Sequence, residues 1–106
     1  MQPTSTLSLT TEKTAAESIV RCTGDIILET AAQMRETAKS LISESKCVVL
    51  DFKGVNRLDS SGLGMIVGIL ISARKSGCKL RFVHLSPRIE EIFTITRVFS
   101  AFPPWS

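Results

Sequence analysis

Residues 47–76 carry the strongest folding instruction in the chain. Cys47–Phe52 (CVVLDF) is a short, nearly continuous apolar run rich in valine. That is the composition of a strand covered on at least one face. A loop over Lys53–Asp59 leads into Ser60-Ser61-Gly62 and a long apolar helix to about Ser76. Gly77 stops that helix, with Arg74 and Lys75 favourably placed in its last turn. Lys79–His84 then reads as another strand. A strand–helix–strand unit this short implies parallel pairing with a right-handed crossover.

The flanking segments extend the pattern. Leu7 and Leu9 alternate with Ser8 and Thr10 as a short strand, and a polar turn runs through Glu12–Ala16. Ser18–Thr23 reads as a second strand ended by Gly24-Asp25, so the first two strands form an antiparallel hairpin. A helix begins at Thr30, where Thr30-x-x-Gln33 has the capping-box spacing. Ala31, Met34, Ala38, Leu41 and Ile42 follow on one face, with Met34 in the core. Ser86-Pro87 opens a last helix holding Ile89, Ile92 and Phe93. The tail, Thr96–Ser106, has room for a final short strand before Pro103-Pro104. The expected order is β-β-α-β-α-β-α in one α/β domain over residues 1–106. It forms a mixed sheet of four to five strands, with helices mainly on one face.

Charge and cysteine usage narrow the function. Residues 1–51 hold seven acids against five bases, a net of −2, and residues 52–106 three acids against eight bases, a net of +5. The basic half could meet an acidic partner or a phosphate. Its cations are scattered and lack interleaved aromatics, which argues against direct nucleic-acid binding. Cys22, Cys47 and Cys78 are far apart, with no C-x-x-C pair. That reads as reduced core cysteines in a cytoplasmic protein, with no disulfide framework and no zinc site. The N-terminus has no signal-peptide pattern. The longest apolar run, Met65–Ile71, is broken by Gly68 and falls far below the roughly 20 residues of a membrane helix.

The helix after Asp59 is the most pointed feature. At about 100° per residue, Leu63, Ile66, Val67, Ile69, Leu70, Ile71 and Ala73 fill one arc toward the core. Gly64, Met65, Gly68, Ser72, Lys75 and Ser76 take the other side. Two glycines there cost about 1 kcal/mol each relative to alanine. They leave a smooth strip that suits either a close partner surface or internal packing. Asp59, Ser60 and Ser61 are all capping residues, and capping alone accounts for one of them. A serine hydroxyl there also lies beside free N–H groups and the positive end of the helix dipole, both suited to a phosphate.

Asp59-Ser60-Ser61-Gly62-Leu63-Gly64 resembles the signature of STAS-domain proteins, specifically the bacterial anti-sigma factor antagonists. The resemblance extends over the opening hairpin, Gly24-Asp25, the VVLDF strand and a Thr-x-aliphatic-x-x-x-Phe ending at Thr96, Val98 and Phe102. It implies a STAS-like fold and a partner switch. The unphosphorylated antagonist captures an anti-sigma factor that is itself a serine kinase, and frees the sigma factor. The kinase phosphorylates the first serine after the aspartate, here Ser60, and a PP2C-type phosphatase removes the phosphate.

The implied partner surface comprises Gly24, Asp25, Arg57, Asp59, Ser60, Ser61, Gly62, Gly64, Met65, Gly68 and Ser72. The chain is expected to be a monomer or weak dimer, and to fold without a cofactor because its apolar helices and strands suffice. Two positions depart from the family pattern. Ile27 replaces the second acid of the loop after the second strand, and Arg57 stands where an aromatic or aliphatic residue is usual. With Pro103-Pro104-Trp105 at its end, the chain is expected to carry a shortened form of the family's last strand and helix.

A STAS subunit of a transporter or stress-signalling complex would use the same surface as a protein-binding module. Ser60, His84 and Asp59 contain the residue types of a hydrolytic triad, but the Gly-x-Ser-x-Gly elbow is absent. Adjacent Asp59 and Ser60 are poorly placed to flank one imidazole in the required order. The reading is a binding module, not an enzyme, with catalytic, cofactor and metal sites absent.

Overall fold

A computed structural model of the chain describes residues 6–95. The elements are β1 (Leu7–Lys13), β2 (Ser18–Ile26), α1 (Leu28–Glu44), β3 (Cys47–Leu58), α2 (Ser60–Ser76), β4 (Lys79–Val83) and α3 (Pro87–Ile95). The strands lie in the sheet in chain order, β1-β2-β3-β4. β1 and β2 form the antiparallel hairpin, from Leu7 opposite Gly24 to Lys13 opposite Ser18. β2–β3 and β3–β4 are parallel. Both crossovers step the same way across the sheet, so right-handedness brings α1 and α2 to one face. There they pack on each other. The α/β order and the mixed four-stranded sheet agree with the sequence reading. The expected final strand and the Thr96, Val98, Phe102 motif lie outside the described residues.

Alternation along the strands sets the core. Val20, Cys22 and Ile26 of β2, Val48, Leu50 and Phe52 of β3, and Leu80 and Phe82 of β4 are buried at alternate positions. Met34, Ala38, Leu41 and Ile42 of α1 and Ile66, Ile69, Leu70 and Ala73 of α2 complete the cluster. α3 docks through Phe93, which is fully buried. Its ring meets Phe82 edge-on at 5.6 Å, and Phe82 meets Phe52 in the same way at 5.5 Å.

Several boundaries differ from expectation. β3 continues through Leu58, so most of the expected 53–59 loop is strand. β2 likewise runs through Gly24 and Asp25 to Ile26, with register shifts between Arg21 and Thr23 and between Gly24 and Asp25. Gly24 has φ +119°, and a Cβ there would lie 2.2 Å from the Thr6 carbonyl oxygen. Only glycine lets β1 approach so closely at that backbone angle. α1 starts two residues before Thr30. The Thr30 hydroxyl accepts from the Ile27 N–H at 3.0 Å and donates to the Asp25 carbonyl at 2.6 Å. Gln33, the other half of the expected capping box, instead donates to the Leu7 carbonyl of β1 at 2.8 Å.

Candidate functional site

The ends of β2 and β3 and the starts of α1, α2 and α3 meet at the C-terminal edge of the parallel strands. Open α/β sheets commonly bind ligands at that edge. Asp59 organises it. Its backbone is extended, at φ −102° and ψ −177°, and its Oδ1 accepts from the Gly62 N–H at 2.8 Å. Oδ2 accepts from the Leu28 N–H of α1 at 3.1 Å. One carboxylate therefore caps two helices. The Gly62 bond is the main reason the Asp59 carboxyl is held below its usual range. Local desolvation opposes it, while the Leu28 and Ser61 N–H groups and Arg57 add to it.

Ser60 follows as the first residue of α2 and is exposed. Ser61 is half-buried beside it. The cap is supplied by Asp59, so the two serines are not needed for it. Gly62 has an internal role. A Cβ there would come within 2.1 Å of the Ile26 carbonyl oxygen, so the glycine lets α2 close onto the end of β2.

The strip along α2 is partly as expected. Gly64 and Gly68 are exposed, and a Cβ at either would meet nothing within 4 Å. Internal packing therefore does not require them. Met65, expected on this strip, is instead buried in the core cluster, and Ser72 is half-buried. The reverse holds for Ile71, which was assigned to the core arc and is 44% exposed. α2 packs on α1 as well as on the sheet, and its buried arc takes in Met65 and leaves Ile71 outside. Leu28, at the start of α1, is 69% exposed and adds a second apolar side chain near the site.

Asp25 and Arg57 are direct partners in the parallel β2–β3 register. Arg57 Nη2 donates to Asp25 Oδ2 at 3.0 Å, and this bond is the main cause raising the arginine's pKa. The Asp25 side chain is only 13% exposed and that of Arg57 is 60% exposed. Arg57 also borders an open cavity of about 700 Å³, shared with Ile27, Glu29, Asn56, Leu58, Asp59 and Arg88. Arg88 was not foreseen, although Pro87 at the first position of α3 directs it to this sheet edge.

His84 takes no part with Asp59. Its Nδ1 lies 2.9 Å from Asp51 Oδ1. Burial works to raise the Asp51 pKa, but the Lys53 N–H, His84 and Arg21 outweigh it and hold the carboxyl low. Both Asp59 oxygens are occupied by backbone donors, so no triad forms with Ser60 and His84. The thiols are poor nucleophiles, and burial pushes Cys22 up to about 12. Among the described residues, no group of three His, Cys, Asp or Glu could hold a metal ion. No described helix is long and apolar enough to cross a membrane.

Comparison with known proteins agrees with this architecture. The anti-sigma-B factor antagonist of Bacillus subtilis is 32% identical over 77 residues, covering 73% of this chain and 71% of the relative. The anti-sigma F factor antagonist of Paenibacillus polymyxa is 26% identical over 87 residues, covering 80% and 74%. The crystal structure of an anti-sigma factor antagonist from Mycobacterium paratuberculosis superposes with a TM-score of 0.82, covering 94% of this chain and 86% of that one. Its identity is 20%, so that likeness speaks for the fold. The STAS domain pattern matches residues 8–106, through the sheet, the Asp59 cap and α2, and the chain belongs to the STAS domain family.

Proposed function

We propose that the chain is a cytoplasmic anti-sigma factor antagonist, a binding module switched at Ser60. Unmodified, it captures a kinase-type anti-sigma factor and so frees the sigma factor. The kinase then transfers the γ-phosphoryl group of ATP to Ser60. A bond forms between the serine Oγ and phosphorus, the bond to the ADP oxygen breaks, and the hydroxyl proton passes to a base of the kinase. A PP2C-type phosphatase hydrolyses the ester and restores the hydroxyl.

The observation that carries this reading is the division of labour between Asp59 and Ser60. Asp59 alone caps α2, which leaves an exposed serine hydroxyl at the helix start with no structural duty there. Next to it, Gly64 and Gly68 open a side-chain-poor strip where another surface can lie close. A phosphate adds a charge of about −1.5 to −2 at the edge of that strip. Burying it unpaired under a partner costs several kcal/mol, which is enough to release the complex. The names of the curated relatives support the same partner class.

The test is incubation with a cognate kinase-type anti-sigma factor and ATP, read by intact mass and peptide mapping. One phosphate at Ser60 is expected, with loss of binding. Ser60→Ala should bind without being modified. Failure to bind any such kinase, together with co-purification with a transporter, would assign the chain to a different STAS assembly.

A further inference from the structure

We infer that Thr30 is a positioning residue for Ser60, its buried hydroxyl fixing the end of β2 on which the start of α2 is seated. This role rests on reading Ser60 as the modified residue. It falls to a residue of α1 that touches neither Ser60 nor a partner and lies outside the signature.

Among the described residues, Thr30 is one of two buried polar ones, and it is only 5% exposed. Its hydroxyl accepts from the Ile27 N–H at 3.0 Å and donates to the Asp25 carbonyl at 2.6 Å. The Ile27 carbonyl is a longer second acceptor at 3.3 Å. The accepting half belongs to the helix cap. The donating half leaves the helix and grips β2. A buried hydroxyl is costly unless both halves find partners, so this one has little freedom to turn away.

Asp59 holds the same segment at the intervening positions. Its N–H donates to the Ile26 carbonyl at 3.3 Å, and its Oδ2 accepts from the Leu28 N–H at 3.1 Å. Residues 25 to 28 are therefore gripped in turn by Thr30, Asp59, Thr30 and Asp59. The Ile26 carbonyl and the Ile27 N–H belong to one planar peptide unit, so the bond that Thr30 makes to the second orients the first. That carbonyl is also the atom on which α2 closes at Gly62. Asp59 in turn caps α2 through Oδ1, and Ser60 is the next residue. A chain of short bonds thus runs from the Thr30 hydroxyl to the helix start that presents the serine.

Thr30→Val keeps the shape of the side chain and removes the hydroxyl, whereas Thr30→Ser keeps the hydroxyl. Carbon NMR of the Asp59 carboxyl reads the consequence without any kinase. The Leu28 N–H is one of the donors that hold this carboxyl low. Its midpoint should therefore rise toward the ordinary value in Thr30→Val and stay low in Thr30→Ser. Leu41→Val, in the buried part of the far end of α1, controls for general loosening and should leave the midpoint in place. With a kinase-type anti-sigma factor and ATP, kcat/KM for transfer to Ser60 should fall roughly tenfold in Thr30→Val and be restored in Thr30→Ser. If Thr30→Val does not fold, Thr30→Cys takes its place, since a thiol is a weak donor and a weak acceptor. An unmoved midpoint in the variant without the hydroxyl, an equal rise in Leu41→Val, or transfer at the wild-type rate would each overturn the assignment. Absence of transfer in the wild type would sink the proposed function instead, and the Asp59 titration would still decide whether Thr30 sets the start of α2.

Discussion

The backbone N–H of Leu28 donates to Oδ2 of Asp59 across 3.1 Å, tying the start of α1 to the start of α2. The N-cap of α1 is Ile27, which has no side-chain acceptor of its own. Asp59 makes up that deficit from 31 residues away while also capping its own helix. The start of α2, with the exposed Ser60, is thus built on a residue that both helices need.

Asp59→Asn should weaken the fold at neutral pH. An amide has one oxygen to accept with, so either Gly62 or Leu28 loses its partner. The pH dependence follows from the depressed carboxyl. Its folded pKa lies below the ordinary 3.8, so its stabilising contribution is complete above that value. The contribution is lost as pH falls through the folded value. Urea midpoints between pH 7 and pH 2.5 check this. The wild type should lose its advantage over Asp59→Asn in the acid range, and a constant difference between the two would refute the double cap.

The glycines of α2 should separate cleanly on substitution by alanine. At Gly62 the new Cβ would sit 2.1 Å from the Ile26 carbonyl oxygen, against backbone that has little room to move. Overpacking of this kind costs about 1–3 kcal/mol, and a backbone neighbour puts Gly62→Ala at or above the upper end. At Gly64 and Gly68 the space is open, and alanine should stabilise the helix by about 1 kcal/mol. Thermal unfolding of the three variants reads the difference. A stabilised Gly62→Ala would mean that α2 does not close on β2 as described.

Local chemistry was legible in the sequence, and long-range geometry was not. Gly77 and Ser86 act where they were expected. Gly77 adopts φ +71° at the end of α2, and the Ser86 hydroxyl accepts from the Ile89 N–H at 3.2 Å. Each signal lies within a few residues of its effect. β3 was cut short because Gly54, Asn56 and Arg57 look like loop residues. Gly54 pairs with Thr23 and Arg57 with Asp25 of β2, and each of the two register shifts adds an extra residue to β3, Asn56 at the second, which only the pairing with β2 reveals. Met65 and Ile71 were exchanged for a related reason. Helical period gives their relative angle, but where the buried arc ends depends on α1 packing along one flank. The Asp59–Leu28 bond and the Arg57–Asp25 pair each join residues more than 30 apart.

Phe93 is the anchor of α3. It is fully buried, and its ring closes the edge-on series of Phe52, Phe82 and Phe93. Phe93→Ala should cost about 3–5 kcal/mol and loosen α3 before the sheet. Hydrogen exchange should then show lost protection in Ile89 to Ile95, with β2 and β3 retaining theirs. Equal loss throughout would make α3 part of a single cooperative unit with the sheet.

The final prediction concerns the exposed strip. Gly68→Leu puts a branched side chain where the structure has open space, so the fold should hold and the helix should gain slightly. If an anti-sigma factor lies over Ser60, Gly64 and Gly68, the leucine stands in its path. A clash of that kind costs about 3–4 kcal/mol, roughly 100- to 1,000-fold in affinity. Ile71→Ser provides the complementary probe. Its side chain is 44% exposed on the same face, and removing it takes away apolar contact without adding bulk. Calorimetric binding and thermal unfolding on each variant decide the matter. Lost binding with intact stability in both locates the partner along α2. Unchanged binding in both would move the contact to the edge formed by Leu28, Asp25 and Arg57. Collapsed stability in Gly68→Leu would mean that the space beside Gly68 is not open as described.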